Sequence, residues 1–284
     1  MYEKLRENIR EKYDYWMQDL KDEDLEDFAC YDLIKAIEES ENFFLYKYMP
    51  ANYFNIRNIE TQKIHLTKNG VLNDIYEGLP SVDLELKMDD VNKLDGLAVM
   101  TCFTETNDSM LMWSHYANSH EGICVQYDLK NNFDDRCNAR GHLYPVIYED
   151  KRPIKRDISE LVDSYRELCR AVEEDYTYDC GLEMDDILPL FLVKGEDWKY
   201  EKEWRIIYTK KQLYDEDLKE LYSGNIKFEC ISAIYLGYRI HPEIRNNILE
   251  ICRRISTPER KIRVYQAKLD NEKYKILFEE ILDN

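Results

Sequence analysis

Apolar positions recur along this chain with two periods, and the changes of period mark its elements. Leu5, Ile9, Tyr13, Trp16 and Leu20 have helical spacing over residues 1–20. A second helix is predicted over 25–39, after the acidic run at 21–27. Period two then takes over. Strands are predicted at 42–48, 63–67, 97–104, 123–127, 143–148, 201–208 and 228–236, with 261–267 and 274–281 closing the chain as strands or as strand plus helix. Short helices are expected at 53–59, from a cap at Asn107 or Asp108 to 119, and at 212–222. Longer ones are expected at 157–175, 184–193 (kinked by Pro189) and 242–255. Met49-Pro50 ends the first strand, Lys68-Asn69-Gly70 is turn chemistry, and 72–95 is polar with little periodicity. Strands and helices mix without strict βαβ alternation. The fold class is therefore α+β: a mixed, largely antiparallel sheet, open to being split, flanked by helices. Residues 1–42 read as an N-terminal helical extension and 43–284 as a single α+β domain.

Charge narrows the partners. The formal net charge is −19 and no basic run exists, so direct binding to duplex nucleic acid and attraction to an anionic membrane are not expected. No segment has the apolar length of a membrane span, and the charged start MYEKLRENIREKYDYW is not a secretory signal. The eight cysteines contain no C-x-x-C pair, so reduced, buried thiols and a cytoplasmic location are expected. His115 and His120 near Cys102 and Cys124 match zinc spacing weakly, and no metal is expected. Twenty-three tyrosines favour aromatic, partly wet clefts. No G-x-G-x-x-G or P-loop occurs.

Four clusters carry chemistry. The stretch 197–208, DWKYEKEWRIIY, read as one strand, puts Trp204, Ile206 and Tyr208 on one face and Glu201, Glu203 and Arg205 on the other. A solvated face with a Glu203–Arg205 pair, worth under about 1 kcal/mol, is one reading; a carboxylate site on a cleft rim is the other. In LYKY at 45–48, Tyr46 and Tyr48 share a face opposite Lys47, as core packing with a snorkelling lysine or as a ligand wall. In NDIYE at 73–77, Asn73 and Asp74 suit a structured turn or a polar ligand contact. In MLMWSHYA at 110–117, Trp113, Ser114, His115 and Tyr116 read as packing and cap residues or as a donor-rich aromatic wall for a planar heterocycle. Ser114 and His115 are adjacent on a helix, so they cannot face each other as nucleophile and base.

These motifs, in this order, resemble the bacterial domain-of-unknown-function family DUF2971. LYKY, NDIYE, CFTETNDSMLMWSHYANSHEGICVQYD at 102–128, WKYEKEWRIIY at 198–208 and ISAIYLGYRI at 231–240 carry the likeness over about 43–270. Members often have proline after the position of Asp74, where this chain has Ile75. At superfamily level, EKEWRII is similar to the Glu-x-Glu strand of mono-ADP-ribosyltransferases. That similarity implies NAD as substrate, Glu203 as the glutamate that stabilises the oxocarbenium, and Glu201 as the upstream glutamate that orients or deprotonates an acceptor. Tyr46 or Lys47 would take the early-strand NAD contact, and Arg205 would hold Glu203 or meet a phosphate. The Ser-Thr-Ser motif of the arginine-directed enzymes is missing. The alternative is a non-enzymatic sensor of a nucleotide-like or other small ligand, or a protein-interaction module. In it, residues 1–42 would contact a protein partner or a second copy. Phage defence is the setting expected of such an accessory bacterial family.

Overall fold

In the computed structural model the described residues are 1–17, 31–68, 73–74, 76, 98–130, 142–151, 191–209 and 225–281. The predicted helices at 157–175 and 212–222, the 184–190 part of the 184–193 helix, and the turn at Asn69-Gly70 lie outside them.

Strands that are largely buried on both faces occupy the centre of a nine-stranded sheet. These are β1 (Phe44–Met49), β4 (Ala98–Thr104), β5 (Ile123–Asp128), β9 (Glu203–Thr209) and β11 (Ile231–Leu236). Strands β12 (Arg263–Leu269) and β13 (Ile276–Glu280) form one margin and β6 (Leu143–Pro145) the other. The order is β13-β12-β11-β5-β1-β4-β9-β6, and the ninth strand, β3 (Thr67–Lys68), pairs with β4 off this path. Only β11 and β12 pair in parallel within it. A parallel pair needs a crossover. The helix Pro242–Ile255, with His241 as its cap and Pro242 at its first turn, supplies it and buries Ile248, Leu249, Ile251 and Cys252. The α+β, mostly antiparallel reading is what the chain adopts.

Two cores follow from the period of two. The larger takes Leu45, Phe103, Val125, Trp204, Ile206, Tyr208 and Ile234 from one face of the sheet. The helix α1 (Tyr2–Met17) adds Leu5, Ile9 and Tyr13 to it, α2 (Tyr31–Glu39) adds Leu33 and Ile37, and α3 (Tyr53–Glu60) adds Ile59. The smaller takes Tyr48, Cys124, Ala233 and Tyr235 from the other face, under Met112 and Trp113 of α4 (Met110–His115).

Several boundaries differ from the sequence reading. The α4 cap is Ser109, whose hydroxyl accepts from the Met112 amide at 3.3 Å, and the helix stops at His115 rather than 119. It stops because Asn118, Ser119 and His120 all take left-handed backbone (φ 46°, 54° and 72°). The 63–67 segment breaks at Leu66 into β2 (Lys63–His65) and β3 (Thr67–Lys68), which join different sheets. The 143–148 segment breaks likewise at Val146 into β6 and β7 (Ile147–Glu149). Val193, expected to end a helix, opens the strand β8 (Val193–Gly195).

Two glycines lock the left-handed turn against the sheet. A Cβ on Gly237 would lie 2.2 Å from the His120 carbonyl oxygen, and one on Gly122 would lie 2.4 Å from that of Met49. Both obstacles are backbone, so no rotamer change relieves them. Gly237→Ala is expected to destabilise the protein by about 1–3 kcal/mol, read as a drop in urea midpoint. A neutral result would show that the turn is free to shift.

The position of the sheet's split matters most. Strand β9 pairs with β4 along all of its length, from Ala98↔Thr209 to Thr104↔Glu203. On the other edge of β4, β3 pairs at Val99 and Met100, whereas β1 pairs only at Thr104, opposite Tyr46. Between these points the strands part, and the sheet opens over Thr101–Phe103.

Candidate functional site

A cavity of about 230 Å³ occupies this opening. Tyr46, Lys47 and Tyr48 line it from β1, Met100–Thr104 from β4, and Met112 and Tyr116 from α4 and its end. Thr67, Asn73, Lys194, Glu201 and Glu203 also line it.

The two glutamates reach it by a route the strand reading missed. Glu201 does not lie on β9. It ends a 3₁₀ helix, Glu196–Glu201, and Lys202 then takes a left-handed conformation (φ 45°) before the strand begins at Glu203. That kink aims both carboxylates at one ammonium. Lys194 Nζ lies 2.7 Å from Glu201 Oε2 and 3.1 Å from Glu203 Oε2. The indole of Trp198 lies 4.7 Å from the same nitrogen. Arg205 holds Glu203 in a fork, Nε to Oε1 at 2.7 Å and Nη2 to Oε2 at 2.9 Å, and donates from Nη1 to the Phe191 carbonyl at 2.7 Å. The Tyr116 hydroxyl donates to Glu201 Oε1. The Glu203 amide donates to the Tyr148 hydroxyl at 2.8 Å. All four charged side chains are at most 5 % exposed, which rules out the solvated-face reading.

The carboxylates titrate in opposite directions. Burial, reinforced by the charge of Glu203, raises Glu201, with Lys194 acting against it. Burial would raise Glu203 too, but Arg205 and then Lys194 outweigh it and hold that carboxyl well below the usual range. One group is kept ionised, and the other is moved toward accepting a proton. Burial lowers Lys47, against the pull of Cys102 and Glu203. Burial and the bond to Glu201 raise Tyr116.

The structure brings together Tyr46, Lys47, Tyr48, Asn73, Tyr116, Glu201 and Glu203 at the cavity, with Arg205 directly behind Glu203. It does not bring the other candidates there. Trp113 is fully buried beneath Tyr48, with ring centroids 5.2 Å apart, and its indole N–H donates to the Asn107 carbonyl at 2.8 Å. Ser114 and His115 are exposed, and His115 meets the Tyr200 hydroxyl at 3.0 Å. Asp74 accepts from the Tyr76 amide at 2.9 Å, closing a local turn. Lys194, Thr101 and Tyr148 were missed. Lys194 and Thr101 each interrupt an apolar run, FLVKG and AVMTCFT, and that isolated polarity was the available signal. Among the described residues no group of three metal-ligating side chains occurs, and no helix is long and apolar enough to cross a membrane.

The fold and cavity thus define an α+β protein whose sheet opens around a buried pair of carboxylates. Residues 112–206, about a third of the chain, match the model of the family described as protein of unknown function (DUF2971), the family to which the sequence motifs point. The match runs from α4 through most of β9. It therefore spans Tyr116, Lys194, Glu201, Glu203 and Arg205, while Tyr46, Lys47 and Thr101 lie outside it. No curated protein and no solved structure matches the chain.

Proposed function

We propose that the split-sheet cavity binds the nicotinamide–ribose end of NAD and that the protein cleaves the bond between them, in the manner of an ADP-ribosyltransferase or NAD glycohydrolase. The observation that carries this reading is the carboxylate pair at the cavity wall, with Glu203 held ionised and Glu201 raised. Environments that push two carboxyls apart divide their labour. In this scheme the C1′–N bond breaks and its electron pair leaves with the nicotinamide nitrogen, which loses its positive charge. The ribose becomes an oxocarbenium ion, and the charge of Glu203 favours that state over the ground state. Glu201 takes the proton of the attacking water or other acceptor. Tyr46 and Tyr116 supply ring faces at the cavity. A volume of about 230 Å³ falls below the roughly 300–1,000 Å³ of pockets that hold whole ligands. It suits one end of a dinucleotide, with the rest lying outward.

A second reading has its own support. Both oxygens of Glu203 already accept from Arg205 or Lys194, and both of Glu201 accept from Tyr116 or Lys194. A site so fully paired suits a sensor that binds a nucleotide-like ligand without turnover. Nicotinamide release from NAD by the purified protein separates the two. The enzyme reading expects release that falls at least a hundredfold in Glu201→Gln and in Glu203→Gln, with folding verified by circular dichroism. Saturable NAD binding with no release would establish the sensor. No binding of NAD at millimolar concentration would end the enzyme reading, and the sensor reading with NAD as its ligand.

A further inference from the structure

Residues of both faces of the sheet line the cavity, and the two faces differ in chemistry. Tyr46 pairs with Thr104, and Thr104 with Glu203, so these three side chains share one face. Lys47, Thr101 and Phe103 therefore belong to the other face, which otherwise builds the larger core. Lys47 is a charged residue between Leu45 and Met49, both in that core. Its ammonium lies 5.8 Å from the centre of the Phe103 ring and donates to the Cys102 carbonyl at 3.0 Å, across the parted strands. Among the described residues that is its hydrogen bond, and an ammonium has three donors. Thr101, 2 % exposed, also lines the cavity, and among the described residues its hydroxyl has no hydrogen-bond partner. A buried hydroxyl without a partner is unusual. Here it shares that face and the cavity lining with Lys47, on the side of the opening away from the two carboxylates.

We propose that Lys47 Nζ and Thr101 Oγ1 form an oxygen-recognition subsite that takes a carbonyl or carboxylate oxygen on a planar ring, inserted through the split in the sheet. The inference rests on the reading of this cavity as the ligand site and deepens it by stating which end enters first. The ring is held between donors on the core side and acceptors, Glu201 and Glu203, on the other. A ligand with an acceptor at one end and a positive or hydroxyl-bearing group at the other matches that polarity. An apolar ring would leave the subsite unsatisfied.

Three probes on the full chain test this by saturation-transfer NMR: nicotinamide, nicotinate and 3-methylpyridine. The expected order places both oxygen-bearing probes about tenfold tighter than 3-methylpyridine, the effect of losing one or two hydrogen bonds. Thr101→Val is nearly isosteric and loses no internal partner, so it should fold with an unchanged or higher melting temperature. It should nonetheless weaken nicotinamide and nicotinate about tenfold and leave 3-methylpyridine unaffected. Lys47→Met should do the same. A larger loss for nicotinate marks a carboxylate as the preferred group, and equal losses mark a carbonyl. Folded variants that bind all three probes as the wild type does, while NAD still competes with them, would overturn the subsite and leave the cavity reading standing. Failure of the wild type to bind NAD or any probe would overturn both.

Discussion

Arg205→Met is expected to lower the unfolding free energy by about 3–5 kcal/mol, the usual cost of removing one partner from a buried ion pair. The cause is the charge balance of a dry place. Arg205, Glu203, Glu201 and Lys194 are at most 5 % exposed and sum to zero when all are ionised. Without the guanidinium, two carboxylates share one ammonium, and the Phe191 carbonyl loses its donor. Arg205→Met combined with Glu203→Gln should recover part of the loss, because the uncompensated charge is then gone. Acid supplies a second check. Glu203 is depressed in the fold, so its contribution is present above the unfolded carboxyl value, about 4.3, and is lost as pH falls through the folded one. The gap between wild type and Arg205→Met should therefore narrow in acid. Urea unfolding at pH 7 and pH 4 measures both. A loss below about 1 kcal/mol at pH 7 would return the pair to the weak, solvated kind.

How far the chain could be read in advance follows from which signals were local. The helix over 242–255 was legible to its ends, because a histidine cap, a proline at the first turn and an amphipathic stripe are local signals. The faces of β9 were legible from Glu203 onward because the side-chain period is two. Glu201 was misplaced because a left-handed lysine is invisible to periodicity. Only glycine or asparagine would have flagged it. The end of α4 was misjudged although Asn118 leads the left-handed run, because Ser119 and His120 after it give no such signal. The breaks at Leu66 and Val146 were hidden because a strand that changes sheets keeps its apolar alternation. The cavity depends on where β1 and β3 let go of β4, and that register is a long-range property. Tyr46, Lys47, Glu201 and Glu203 could be named as candidates for one hollow, but the strand register that opens it could not. Trp113 was over-read for the opposite reason. An indole beside a serine and a histidine suggested a ligand wall, yet it is the floor of the smaller core.

Trp204→Ala should cost a further about 3–5 kcal/mol by itself, the range for emptying a large aromatic from a core, and its effects should reach the N-terminal helix. Trp204 is fully buried between the flanking site residues Glu203 and Arg205, on the opposite face of β9. Phe43 and Tyr2 meet its ring edge to face at 5.7 and 5.9 Å. Its indole N–H donates to Glu105 Oε1 at 2.8 Å. Arg6 of α1 bonds the same glutamate at 2.9 Å and reaches the carbonyls of Val146 and Glu203 at 2.8 and 3.1 Å. The helix thus grips β9 at the residue that begins the site, and the indole is the surface on which it rests. Removing the ring should leave α1 tethered mainly by Arg6 and by Leu5, Ile9 and Tyr13. Amide exchange over residues 2–13 should then quicken more than exchange over 242–255, a helix that packs against β12 at the far margin of the sheet. Trp204→Phe, which keeps most of the packing and loses the indole donor, should fall between. If α1 exchanges as slowly in Trp204→Ala as in the wild type, the helix is docked by other contacts and its hold on the carboxylate pair is weaker than the geometry indicates.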